Sequence, residues 1–200
     1  MKATKEDIVN SFESVYRGMP GWEIGRPQKE FINLEAADEI HGLVLDAGCG
    51  TGENALYLVK QGYDVIGVDV ASAAISKARK KAWARGLHGL FLVQDALDLQ
   101  SLGLKFDTII DSGLFHVFSD DARKKFVKTI DSVLRVGGSY LMICFSEHEP
   151  PSWGPRRITQ VEIKDAFRDG FRINYIRKAK FETNYEQGEV NAWLTSIIKL

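Results

Sequence analysis

Four aspartates recur at comparable points of the chain. Each follows an apolar run: "LVLD" ends in Asp46, "VIGVD" in Asp69, "FLVQD" in Asp95 and "TIID" in Asp111. Short apolar runs bounded by turn residues read as strands of a buried, mostly parallel sheet. Ligands of such sheets bind at the carboxyl ends of the strands, so the four acids share one edge. Carboxylates gathered there repel one another and any phosphate; a cation and a set of hydrogen-bond donors relieve them. The first acid opens "DAGCGTGENA", where Gly48, Gly50 and Gly52 alternate with small residues. Read from Gly50, the stretch fits G-x-G-x-x-A, the cradle of a pyrophosphate. Read from Asp46, it is an acid followed by a glycine loop, which suits a ligand with a positive group.

The spacing of the other acids favours the second reading. Asp69 lies about twenty residues beyond the first glycine, at the end of the second strand, where a carboxylate accepts both ribose hydroxyls of an adenosine. Asp95 is placed to accept from an adenine amine, with the backbone N–H of Ala96 available to a ring nitrogen. Asp46 faces an ammonium group, and Cys49 is a small loop side chain whose backbone faces the ligand. Adenosine at one end, an ammonium at the other and no phosphate describe S-adenosylmethionine, whose sulfonium lies between them. An NAD(P)-dependent oxidoreductase, the alternative, needs no acid before the glycines and none after the third strand.

The elements that must position these residues alternate along the chain. An amphipathic helix over residues 4–17 carries Ile8, Phe12 and Val15 on one face and breaks at "GMPGW". A helix near 27–40 precedes the first strand. Helices over 53–61, from an N-cap at Ser72 to about Gly86, and from Ser119 to Gly137 and Gly138 separate the next strands. "SYLMICFSE" is a fifth strand. A helix near 159–168, N-capped by Thr159, leads to "FRINYIRKAKF" and "AWLTSIIKL", two strands paired antiparallel at one edge around "EQGE". Strands joined by helical crossovers give an α/β, doubly wound, mostly parallel sheet. One domain over 1–200 is expected, with an N-terminal helical lid at 1–35, a cofactor-binding core at 42–147, and a C-terminal helix and strand hairpin at 148–200.

The 200 residues are 44% apolar and 26% charged, with a net charge of −1 and two cysteines, Cys49 and Cys144. Such a balance gives no global field for nucleic acid or an acidic membrane surface. The polar start "MKATKEDIVN" has no apolar segment of a secretory signal. Two cysteines outside any C-x-x-C pair imply neither a disulfide framework nor a metal site, so a cytoplasmic protein is expected.

"VLDAGCGTG", the acidic end of "VIGVDV", "VQDA" and "LRVGG" resemble the motifs of the class I S-adenosylmethionine-dependent methyltransferases, from about residue 42 to 147. The resemblance implies a Rossmann-like seven-stranded sheet with an antiparallel last strand, and cofactor contacts that extend to Val70, Asp111 and Ser112. "PGWEIGRPQ" is similar to the thiopurine- and tellurite-methylating branch. There Trp22 is expected to lie against the cofactor as part of the lid, with Arg26 pairing its carboxylate. Asp111–Leu114 lacks the Asn/Asp-Pro-Pro-aromatic motif of DNA and RNA amine methyltransferases, which argues against nucleic acid as acceptor. His116 is the candidate general base. Trp153 offers an apolar wall, and Arg156 and Arg157 offer charge to an anionic acceptor. The expectation is a monomer or weak homodimer, away from membranes, that methylates a small molecule: a thiol, a chalcogen oxyanion or a small acid. A binding protein that senses S-adenosylmethionine without turnover is the second reading.

Overall fold

The computed structural model describes residues 5–150, 153–186 and 188–200. Its seven strands are β1 (Leu43–Ala47), β2 (Asp64–Asp69), β3 (Leu90–Val93), β4 (Phe106–Ser112), β5 (Leu134–Phe145), β6 (Phe171–Glu182) and β7 (Glu189–Lys199). They form one sheet in the order β3-β2-β1-β4-β5-β7-β6. The order reverses between β1 and β4, the switch point above which a ligand crevice opens. Register places the acids together there: Ala47 pairs with Val68 on one side and with Asp111 on the other. β7 runs antiparallel to both neighbours, so it is the inserted strand and β6 is the edge.

Alternation along the strands builds two cores. Leu45, Ile109, Tyr140 and Met142 face α5 (Asp120–Val133) and α6 (Gln160–Ala166). Val44, Ile110, Leu141 and Ile143 face α2 (Lys29–Ala36), α3 (Glu53–Lys60) and α4 (Ser72–Ala84). Burial on both faces explains the continuous apolar runs of β1 and β5. Among the described residues, no helix is long and apolar enough to cross a membrane.

Four local expectations change. Helix α1 (Lys5–Arg17) buries Tyr16 and leaves Val15 38% exposed, so its inward stripe runs through Phe12 and Tyr16; the side chain of Ile8 lies outside the described residues. Ser72 is not an N-cap. Ala71 holds that position, and the free N–H groups of Ser72 and Ala73 donate to Glu13 of α1, the latter at 3.1 Å. A carboxylate at the positive end of α4 supplies the missing acceptors. The helix after Ser119 ends at Val133 rather than at the glycines. Gly138 instead lies within β5, where a Cβ would come within 2.8 Å of the Asp107 carbonyl, so glycine there serves close strand approach. α2 is also shorter than expected, ending at Ala36.

Thr159 does cap α6: its hydroxyl accepts from the Glu162 N–H at 3.1 Å while the Glu162 carboxylate accepts from the Thr159 N–H at 2.8 Å. Thr159→Ala is expected to lower unfolding stability by about 1 kcal/mol, read as a shift in the urea midpoint.

Candidate active site

The glycine loop turns sharply between β1 and α3. The Cys49 N–H donates to the Val68 carbonyl at 2.8 Å, and the Gly50 N–H donates to Asp69 at 2.9 Å. Gly48 and Gly50 have φ of 71° and 54°, which side-chain-bearing residues rarely adopt. A Cβ on Gly50 would lie 2.7 Å from the Tyr16 hydroxyl, and one on Gly48 would lie 3.1 Å from Leu114. Tyr16, which the sequence reading passed over, therefore closes over the loop from α1. The loop's other glycine, Gly52, precedes α3 with φ of 84°.

The four acids divide into different roles. Asp46 is fully buried, and neither of its oxygens has a hydrogen-bond partner. Burial pushes its pKa up to about 8, and the nearby Asp111 and Asp69 add to the shift. Asp69 accepts from the N–H groups of Gly50 and Ala71, one on each oxygen. Each carboxylate oxygen has two lone pairs, so both keep an acceptor direction for a ribose hydroxyl. Burial raises its pKa as well. Asp95 caps the short 3-10 helix Ala96–Leu102 by accepting from the Leu97 N–H at 2.8 Å, and Ala96 beside it is buried. Val70 is half-buried between the Asp69 carboxylate and its Ala71 partner.

Asp111 departs from its expected place among the cofactor contacts. Its carboxyl accepts from Tyr140 Oη at 2.7 Å and from the N–H groups of Leu114 at 2.7 Å and Phe115 at 3.1 Å. These bonds fix the loop after β4, including half-buried Ser112, while burial raises the carboxyl's pKa to about 7. Asp111 thus shapes the site from below.

His116 is corrected as a general base. Its Nδ1 accepts from the Phe145 N–H at 3.0 Å, which leaves the ring proton on Nε2. Burial, with Arg157 and Arg123 nearby, pushes its pKa down to about 3. No basic lone pair remains.

The charged candidates are also engaged. Arg26 grips Glu182 with both terminal nitrogens, at 2.9 and 2.8 Å, so it does not await a ligand carboxylate. Arg156 bridges Asp120 and Glu162. Arg157 donates to the carbonyls of Glu149, Pro150 and Pro155 and lies over the rings of Phe145 and Trp153. Trp22 packs edge-on to Phe12 and Tyr16, and its Nε1–H donates to the Tyr16 hydroxyl at 3.0 Å.

Next to the glycine loop stands a group of rings of which the sequence points only to His116 and Trp153. Leu114 touches the position above Gly48, and the following turn carries His116. His116 lies 4.8 Å from Phe145, which lies 5.4 Å from Phe181 and 5.8 Å from Trp153; Tyr185 stacks edge-on to Trp153 at 5.1 Å. The ends of β5 and β6, the loop after β5 and the hairpin before β7 supply these rings, so sequence spacing hides them.

This fold and this acid-and-glycine crevice have counterparts. The model of a methyltransferase domain matches residues 44–138. The chain is 33% identical over 190 residues to the 2-heptyl-1-hydroxyquinolin-4(1H)-one methyltransferase of Mycobacteroides abscessus, covering 90% of this chain and 84% of that one. The chain belongs to the class I S-adenosylmethionine-dependent methyltransferases. A structure solved for the conversion of a disulfide bond into a thioacetal group during echinomycin biosynthesis superposes with a TM-score of 0.89 at 34% identity, covering 96% of this chain and 93% of that one. TehB from Haemophilus influenzae shares the fold, with a TM-score of 0.69 at 21% identity over 85% of this chain and 61% of that one. Membership replaces the oxidoreductase alternative. The methyltransferase crevice fits its cofactor on its own terms: the orphaned Asp46 oxygens await a cationic donor, and the loop admits close approach only because Gly48 and Gly50 lack side chains.

Asp46 makes the free methyltransferase pH-sensitive. A carboxyl with a raised folded pKa stays protonated in the fold while the unfolded chain ionises, so its contribution is full below about pH 4 and is lost toward pH 8. Asp46→Asn is therefore expected to gain stability over the parent as pH rises through this window, by at most about 1.4 kcal/mol per pH unit. Urea unfolding at pH 5, 7 and 8.5 reads the gap; a gap independent of pH contradicts the assignment.

Proposed function

We propose that this methyltransferase acts on a small aromatic molecule that carries an acidic hydroxyl or a thiol. The observation that carries the reading is the ring cluster of His116, Phe145, Trp153, Phe181 and Tyr185 beside the glycine loop. His116, Phe145 and Phe181 are buried behind half-buried Trp153 and exposed Tyr185, and an aromatic wall of this kind favours a flat apolar body through offset and edge-on contacts. The hydroxyquinolone methyltransferase relative supports such an acceptor. A chalcogen oxyanion or a small acid, both expected from the sequence, was to be met by Arg156 and Arg157, and these two are held by other partners.

S-adenosylmethionine supplies an activated methyl group on a sulfonium. The protein's part is alignment, since holding two reactants in line is worth roughly 7–11 kcal/mol in favourable cases. Asp69 is assigned to the ribose, Asp46 to the ammonium, and Asp95 with the Ala96 N–H to the adenine. The loop backbone at Cys49 and Gly50 carries the donor. Asp111 holds the loop between donor and acceptor, Tyr16 and Trp22 exclude water from above, and the rings orient the acceptor. His116, with Nε2 protonated, serves as wall and hydrogen-bond donor. With this residue excluded as base, the acceptor arrives already ionised, which suits an acidic hydroxyl or a thiol.

The reading is tested by incubating the protein with S-adenosylmethionine and a panel of N-hydroxy heteroaromatics, acidic phenols, aromatic thiols, tellurite and aliphatic acids, with S-adenosylhomocysteine and methylated product measured by mass. Turnover of the aromatic acceptors is expected. Turnover confined to tellurite or aliphatic acids rejects the acceptor class, and tight donor binding with no turnover at all favours the sensor. A second measurement follows from the missing base. The pH profile of kcat/KM is expected to rise to a plateau at the acceptor's own pKa and to move when an acceptor of different acidity is used. An inflection fixed near pH 6–7 for every acceptor would restore a histidine base.

A further inference from the structure

The segment between α1 and α2, residues 18–28, crosses the crevice as a strap, and its fastenings fall in two places. At the glycine loop, Glu23 receives hydrogen bonds from Thr51 and from Lys81, the latter at 3.1 Å, while Asn54 accepts from the Gln28 N–H at 2.9 Å. At the other end the strap meets the β6–β7 hairpin, and nearly every bond there involves Glu182 or Asn184. The Glu182 carboxylate takes both Arg26 nitrogens and the Lys29 N–H at 2.8 Å. Its backbone is bracketed by the Gln28 side chain, which accepts from the Glu182 N–H and donates to the Glu182 carbonyl, each at 2.8 Å. The Asn184 N–H donates to the Gly21 carbonyl at 2.8 Å, and its side chain donates to the carbonyls of Pro20 and Glu23.

Packing of Trp22 on Phe12 and Tyr16, and of Gly21 against Tyr185, explains only part of this attachment. Behind the strap, between Met19, Glu23, the α4 residues Lys77 and Lys81, and Arg85 just after α4, lies a cavity of about 600 Å³. The strap is held by its polar anchors. Glu182 is 8% exposed and, with Arg26 beside it, keeps its pKa below the usual carboxylate range, so the anchor is charged at neutral pH. Its two neighbours in the hairpin are acceptor rings: Phe181 precedes it and Tyr185 follows three residues later.

We infer that Glu182 is a positioning residue that couples the two substrates, so that closing the strap over the donor sets the hairpin rings against the acceptor. This rests on the acceptor reading above for the second site only. Coupling through a shared element is reciprocal: an occupied donor site tightens the acceptor site by the factor by which the acceptor tightens the donor. The Arg26–Glu182 fork, directional and two-pronged, is the joint through which that factor passes.

Amide hydrogen exchange with S-adenosylhomocysteine as the probe tests the joint without any acceptor. In the parent protein, added S-adenosylhomocysteine is expected to slow exchange across 181–190 as well as in the strap. In Glu182→Gln the strap slows less and the hairpin response disappears, with donor affinity by calorimetry lower by about tenfold, inside the usual range of couplings. Arg26→Ala combined with Glu182→Gln is expected to be no worse than Glu182→Gln alone. Arg177→Ala, which breaks the separate contact of β6 with Glu30 at 3.6 Å, is expected to leave both readouts unchanged. With an aromatic acceptor from the panel, Glu182→Gln is also expected to raise KM more than it lowers kcat. A hairpin that responds to S-adenosylhomocysteine equally in parent and variant, or a variant altered only in melting temperature, overturns the coupling. Failure to find an aromatic acceptor would overturn the acceptor class and leave the exchange result standing.

Discussion

A carboxyl group with no hydrogen-bond partner, sealed beneath a glycine loop, sets the terms for this molecule. Asp46 is held out of water by β1 and α3, and two further acids lie within a strand or two of it. Such a group is costly to ionise in place. With Asp46 assigned to the donor's ammonium as proposed above, the arriving cation would make that charge favourable. The other acids are tuned differently. Asp69 is bound to two amides yet keeps free lone pairs, whereas Asp111 is saturated by a phenol and two amides and acts as a strut. Similar residues at one sheet edge thus do different work, according to which N–H and O–H groups reach them.

The acceptor side follows a different logic. There the protein presents rings and a stacked guanidinium, and the one imidazole is desolvated and turned so that its basic nitrogen meets a backbone amide. A site arranged this way does little acid–base chemistry. Under the acceptor class proposed above, it would take molecules that come with their own nucleophile. The charged residues of the same region serve the scaffold: Arg156 ties α6 to the start of α5, and Arg157 ties down the loop that bears Trp153.

What the sequence made legible was whatever depends on neighbours along the chain. The strands, the glycine loop, the Thr159 cap and the antiparallel C-terminal pair all follow from local pattern. The Asp46, Asp69 and Asp95 positions follow because the doubly wound fold sends every strand end to one edge. Contacts made across long separations were not legible. Arg26 looked available because its partner, Glu182, is 156 residues away. His116 looked basic because the Phe145 N–H that occupies it belongs to another strand. Ser72 looked like a cap because the acid that does the capping belongs to α1. Gly137 and Gly138 looked like a helix stop because nothing nearby in sequence shows that β4 presses against Gly138. Tyr16 carried a faint signal: it sits four residues beyond Phe12, on the stripe that α1 turns inward.

The placement of the strap also bears on how the protein is made. Residues 18–28 are made well before the hairpin that holds them, since Arg26 precedes Glu182 by 156 residues. Until Glu182 and Asn184 have emerged and β7 has inserted between β5 and β6, the cover has no catch on that side. Contacts of such long range form late in folding. A nascent chain therefore carries the strap without this hold until the 156 residues from Arg26 to Glu182 have been added.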